Sequence, residues 1–324
     1  MINLFLDSNI WLDLFHFSAN DLEEFSKLNN KLGKDITLFV PQQVVFELQR
    51  NRDSKISDAL KRFKDLHIQI PNLCMGYPEY ETFNEVLSNL TQIHRELCQK
   101  IEVDVVNRRL PADSIINKVY QNSRLLEETD TIIRSAELRF NRGNPPGKNH
   151  SLGDAINWEA LLAYVPDGED LFFVSEDRDY QSAVDGNKMN LFLLTEWQRT
   201  KRAQVVYYQS LVSFLREHQK DINLRSEIEK ETLIEALYNS GSFAQTHGLI
   251  SSLCRFEYFS DKQLNQLLRA VVDNSQVGSI ITDHDLAQFY QRILKGKESR
   301  IDNNPFIRSA LGGIGINLPE ESDE

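Results

Sequence analysis

Cysteine is scarce in this chain. Cys74, Cys98 and Cys254 are far apart and form neither a CxxC pair nor an even framework. That excludes a disulfide scaffold and a thiolate zinc site, and points to reduced core thiols in a cytoplasmic protein. No apolar run reaches eighteen residues, so no membrane partner or span is expected. No basic stretch precedes a long apolar segment near Met1, so no secretory leader is expected. The seven histidines form no HExxH or HxxxH pair, which leaves no zinc site of that kind. There is no GxxxxGK(S/T) loop for a nucleotide, and Gly312-Gly313-Ile314-Gly315 has no helix pattern after it. Positive charge is also short, with 36 Lys and Arg against 48 Asp and Glu, a net charge of −12. A general nucleic-acid coat protein would need the opposite balance.

What remains is ordinary globular material. Hydrophobic residues make up 41% and charged residues 26% of 324 positions, enough for one large or two modest domains. Ile2, Leu4, Phe5 and Leu6 form a short apolar run ending at Asp7, which reads as a buried strand with an acid at its C-terminal end. A polar loop and a helix over about 19–32 follow. Residues 35–40 read as a second strand, and Pro41 opens a long helix to about Leu66. Helical spacing recurs over about 79–110, with Phe83, Val86, Leu90, Ile93 and Leu97 in phase, then to about Asn122 and over 127–142. Asn144-Pro145-Pro146-Gly147 marks a loop, and Gly153-Asp154-Ala155 starts a helix. Strands are expected at 170–174, 190–194 and 205–208, and a helix at 209–219. Strands alternating with helices indicate an α/β fold with a parallel sheet over 1–222, carrying a helical insertion at about 72–142. Beyond Arg225 only helical patterns recur, so 223–300 reads as a small all-α domain and 301–324 as a flexible tail.

Four acids are expected at one edge of the sheet, where strands end and helices begin. Asp7 ends the first strand, and Glu47 lies early in the helix after the second. Asp154 opens a later helix, and Asp177 follows the 170–174 strand. Each has an ordinary alternative, Glu47 as a solvated helix face and Asp154 as a first-turn acid favoured by the dipole. Gathered carboxylates repel unless a cation compensates. Hard oxygen donors without cysteine or histidine select Mg²⁺ or Mn²⁺, ions suited to phosphoryl chemistry.

These motifs resemble the PIN-domain family, the fold of many ribonucleases. The resemblance rests on Asp7-Ser8-Asn9, on Glu47, on Gly153-Asp154-Ala155, and on Ser175-Glu176-Asp177 with Tyr180. The long segment before Asp154 is similar to a larger bacterial branch with a helical insertion. The resemblance implies that Asp7, Glu47, Asp154 and Asp177 bind metal. Ser8, Asn9 and Ser175 would orient those carboxylates. Asp179 is a candidate for a water or second ion, or for a cap on the Arg178 turn. Arg139, Arg142, Lys148 and Arg178 are candidates to lead a phosphate backbone to the metals, or to be solvated surface. Trp158 is a candidate to stack on a base, with core packing as the alternative. The expected activity is metal-dependent cleavage of single-stranded or looped RNA, with a toxin or phage-defence role. A structure-specific DNA nuclease and a non-catalytic interaction protein are the alternatives. A regulatory or antitoxin protein, or a second copy docked through the C-terminal helices, is the expected protein partner.

Overall fold

The computed structural model describes residues 1–147, 151–297 and 304–316. Strand β1 (Ile2–Leu6) leads into α1 (Ser8–Asp13) and α2 (Ala19–Ser26), and β2 (Ile36–Pro41) leads into α3 (Gln42–Lys64). Next come α4 (Tyr80–Val106), α5 (Pro111–Gln121), β3 (Arg124–Leu126) and α6 (Asp130–Asn141). Then α7 (Leu152–Tyr164) precedes β4 (Leu171–Val174), α8 (Leu191–Lys201), β5 (Val205–Tyr208) and α9 (Leu211–His218). Six helices close the described chain. They are α10 (Arg225–Tyr238), α11 (Phe243–Leu253), α12 (Asp261–Asp273), α13 (Ser275–Gly278), α14 (His284–Leu294) and α15 (Pro305–Gly312).

The five strands form one parallel sheet in the order β3-β2-β1-β4-β5. The inner strands are apolar along their length because both faces are covered by helices. Phe5, Phe39 and Phe173 are buried with Trp11, Trp158 and Trp197 in one cluster. The order reverses at β1, which pairs with β2 on one side and β4 on the other. In an open sheet, ligands bind outside the carboxyl ends of the strands at such a reversal. Leu6 lies beside Val174, so the residues that follow them, Asp7 and Ser175, emerge together at that crevice.

Several expectations differ from what is observed. Residues 190–194 do not form a strand. The Asn190 side chain accepts from the Phe192 N–H at 2.9 Å and starts α8, whose Leu193 and Trp197 are buried one turn apart. A short apolar run does not by itself distinguish strand from buried helix. Edge strand β3 has only three residues, too few for a periodic pattern. The loop expected after β1 contains α1, capped by Asp7. Part of the expected flexible tail is α15, whose Ile307 and Leu311 are buried, while 301–303 and 317–324 lie outside the described residues. The cysteines are not core residues, since Cys74 and Cys98 are half-buried and Cys254 is exposed.

The apolar interior forms two clusters, one around the sheet and one among the C-terminal helices from Ile234 onward. Polar contacts fasten the C-terminal part beside the strand ends. Tyr258 donates from its hydroxyl to Asp13 Oδ1 at 2.5 Å, and Lys55 Nζ reaches both that hydroxyl, at 2.7 Å, and Asp13 Oδ1, at 3.1 Å. The His16 ring stacks on Tyr258 with centroids 3.5 Å apart.

Arg52 on α3 is 4% exposed and donates from Nε and Nη2 to both oxygens of Asp113 on α5, itself 6% exposed. Removing one partner of a buried pair leaves an uncompensated charge. Asp113→Ala is expected to destabilise the fold by about 3 kcal/mol in urea unfolding. A change below about 1 kcal/mol would mean that Asp53 and the Val105 carbonyl suffice for Arg52.

Candidate metal centre

Asp7 is buried at the end of β1. Its backbone N–H donates to the Val174 carbonyl at 3.0 Å, which ties it to the neighbouring strand. Its Oδ1 accepts from the Ser8 N–H at 2.7 Å, and its Oδ2 accepts from the Ser175 hydroxyl at 2.5 Å. The same Ser175 Oγ accepts from the Asp177 N–H at 3.0 Å. One serine hydroxyl therefore links the carboxylate after β1 to the loop after β4. Asp177 Oδ1 in turn accepts from the Asp179 N–H at 2.8 Å, which fixes the turn that follows.

Asp154 comes from the first turn of α7, where the Ser151 side chain caps the helix. Tyr180, fully buried against Phe173, donates its hydroxyl to Asp154 Oδ1 at 3.2 Å. Oxygens of Asp7, Asp154 and Asp177 all lie within 4.8 Å of one another. Glu47 is outside that group. It is half-buried on α3, and its Oε1 accepts from Gln43 Nε2 at 2.7 Å. Its charge still acts on Asp7, Asp154 and Asp177. A Cβ at Gly153 would collide with Glu47 Oε1 and lie 2.5 Å from Gln43 Nε2. A side chain at 153 would therefore push the ends of Glu47 and Gln43 away from the start of α7.

The electrostatics follow from burial and repulsion. Burial, then the Asp177 charge, push the Asp7 carboxyl up to about 7, against the lowering effect of Ser175. Burial and the charges of Asp7 and Asp177 hold Asp154 well above the usual carboxylate range. Asp177 is raised as well, chiefly by burial. The donor set fits a hard divalent cation, which would replace protons as the compensating charge.

Other candidates fall in different places. Ser8 touches Asp7 through its backbone N–H. Asn9 lines the adjoining cleft, and its Oδ1 is buried without a hydrogen-bond partner among the described residues. Asp179 and the exposed Arg178 line the same cleft. Arg139 does not face substrate. It is 5% exposed and held by Glu159, Glu196 and the Pro145 carbonyl. Its partners stand 20 and 57 positions away, so its charge in sequence carried no sign of burial. Arg142 is exposed at the end of α6, and Lys148 lies outside the described residues. Trp158 is fully buried and donates to Glu196, so it packs the core and does not stack on a base.

Residues given no contact or role from the sequence also belong here. Gln43 holds Glu47, and Tyr180 holds Asp154. Glu176, between two site residues, turns to the C-terminal part and accepts from the Lys262 N–H at 3.4 Å. Burial, then Asp13, push its carboxyl up to about 8. A glutamine one turn before Glu47 was a readable signal. The reach of Glu176 to a residue 86 positions on was not.

The family model of the PIN domain matches residues 4–180, more than half of the chain. No curated protein and no solved structure matches the chain. No helix among the described residues is long and apolar enough to cross a membrane.

The raised Asp7 carboxyl makes the metal-free protein pH-sensitive. The folded state binds a proton more tightly than the unfolded chain does, whose carboxyl titrates near 3.8. This stabilising contribution is complete below that value and is lost as pH rises through about 7. In EDTA, the thermal midpoint is therefore expected to fall between about pH 4 and pH 7, and Asp7→Asn should flatten that slope. An unchanged slope in the variant would place the titration elsewhere. Gly153→Ala is expected to displace Glu47 and weaken Mn²⁺ binding by about tenfold or more in calorimetric titration. Equal affinity would show that Glu47 plays no part in holding the ion.

Proposed function

Because this chain belongs to the PIN-domain family, whose members are in general metal-dependent nucleases, we propose that it is a Mg²⁺- or Mn²⁺-dependent endoribonuclease cutting single-stranded or looped RNA. One observation carries the reading. Three aspartates from positions 7, 154 and 177 put oxygens within 4.8 Å of one another, and the charge of Asp177 raises the proton affinity of Asp7 and Asp154, as that of Asp7 does for Asp154. Such repulsion is costly to maintain unless a cation enters.

Asp7, Asp154 and Asp177 would hold the ion, with Glu47 close enough to join through a water or a small movement. A divalent cation bound there supplies an acidified water and stabilises charge on the leaving oxygen. Ser175 keeps the Asp7 carboxylate aimed, and through the Asp177 N–H it also fixes the start of the next turn. Tyr180 orients Asp154 and keeps its proton, because burial and the surrounding carboxylates hold its hydroxyl well above the normal range. Among the described residues, no histidine or lysine is hydrogen-bonded or ion-paired to Asp7, Asp154 or Asp177, and the carboxylates are the groups placed to take up a proton there. A single strand suits the open cleft beside Asp177, where amide side chains such as Asn9 and Asn187 can meet unpaired bases.

Purified protein is expected to cut labelled single-stranded RNA with Mn²⁺ and to stop in EDTA. Asp7→Asn and Asp154→Asn should each lower the rate by on the order of a thousandfold, several kcal/mol of charge stabilisation. Flap DNA and single-stranded DNA run beside the RNA. Faster cleavage of flap DNA would replace RNA with DNA as the substrate. Cleavage that survives both variants would remove the acid centre from the chemistry.

A further inference from the structure

Beside the acid centre lies an open cleft of about 470 Å³. One side is formed by Asn9, Asp177 and Arg178 after the strands. The other is formed by α12 of the C-terminal helices, which lines it with Lys262, Gln266 and Arg269 and, at its first turns, with Asp261 and Asn265. We infer that α12 is the far wall of the substrate cleft, where Lys262 and Arg269 hold backbone phosphates of a single-stranded nucleic acid whose adjoining phosphate reaches the aspartates. This rests on the nuclease reading of the acid centre.

Lys262, Gln266 and Arg269 are spaced i, i+4, i+7, so they share one face of α12. The opposite face carries Leu264, Leu267, Leu268 and Val271, all buried in the C-terminal core. Rolling the helix to turn its cations away would expose those leucines, so the polar face is fixed toward the cleft. Its position is fixed as well. Glu176, the residue between Ser175 and Asp177, accepts from the Lys262 N–H at the first turn of α12. Tyr258, just before that turn, is bound to Asp13 and Lys55. Lys262 and Arg269 enter no ion pair among the described residues. In contrast, Lys55 on the same cleft is paired with Asp13.

The occupant follows from charge and chemistry. A polyanion is repelled by three gathered carboxylates and needs cations next to them. The chain as a whole carries −12, so that attraction must be local. Two cations a few turns apart along one helix suit a repeating phosphate backbone better than a single anion. The exposed Gln266 presents both a donor and an acceptor to base edges, which an acidic peptide would not use.

The test is fluorescence anisotropy with a short single-stranded oligomer and the full chain, in Ca²⁺ to support binding. RNA and DNA oligomers are titrated separately, to show which sugar the cleft takes. Lys262→Ala/Arg269→Ala is expected to weaken binding by about tenfold and to lower the log–log salt slope by about two, one per cation removed. Lys100→Ala/Arg199→Ala removes the same charge from exposed positions elsewhere and should bind as the wild type does. Arg269→Glu, at an exposed position, should weaken binding further and guards against a misfolded double variant. Wild-type affinity and salt slope in the double variant, or equal weakening in the control, would overturn the inference. The same oligomers are also incubated with Mn²⁺. Loss of binding with no cleavage by any form keeps the α12 wall and removes the nuclease reading. Cleavage by the wild type, with the double variant binding and cutting equally well, does the reverse.

Discussion

Repulsion among buried carboxylates is the constraint to which the rest of the molecule answers. Oxygens of Asp7, Asp154 and Asp177 lie within 4.8 Å of one another, the first two residues buried and the third half-buried. Left alone they would separate or take up protons, and the raised proton affinity of Asp7 and Asp154 records that tension. A fold can hold such a group only if each acid is anchored by backbone that cannot easily move. The parallel sheet provides this. β1 and β4 are neighbours with both faces buried, and their ends deliver Asp7 and the Ser175–Asp177 loop side by side.

Small polar contacts refine what the sheet positions. The Ser175 hydroxyl bridges Asp7 and the Asp177 N–H, and Tyr180 steadies Asp154 from the core side. The missing side chain at Gly153 lets Glu47 and Gln43 close against α7. Each contact acts on orientation, and orientation decides whether oxygens converge on one point or merely lie near it. A cation entering such a site would relieve repulsion that folding has already built in.

The C-terminal helices have a structural role in the same place. Tyr258, Asp13, Lys55 and Glu176 join them to the strand-end side of the sheet. The cleft that results has Asp177, Arg178 and Asp179 on one wall and Asp261, Lys262, Gln266 and Arg269 of α12 on the other. An acidic chain in this way places two cations, Lys262 and Arg269, across the cleft from Asp177.

Much of this was legible along the chain, because the signals are local. An apolar run ending in Asp7-Ser8-Asn9, a glycine before Asp154 and Ser175-Glu176-Asp177 after a strand each express a strand end or helix start within a few residues. The α/β class and the acids followed from them. The fate of Arg139 did not, because its carboxylate partners are remote in sequence. Nor did the helical state of 191–201, where an apolar run fits either element. Sequence alone determined which carboxylates stand at the ends of elements, since backbone periodicity and capping are short-range. Tertiary structure decided that oxygens of three of them converge without Glu47, and that α12 faces Asp177 across a cleft. Those outcomes depend on strand order and on packing between residues far apart in the chain, which no local pattern encodes.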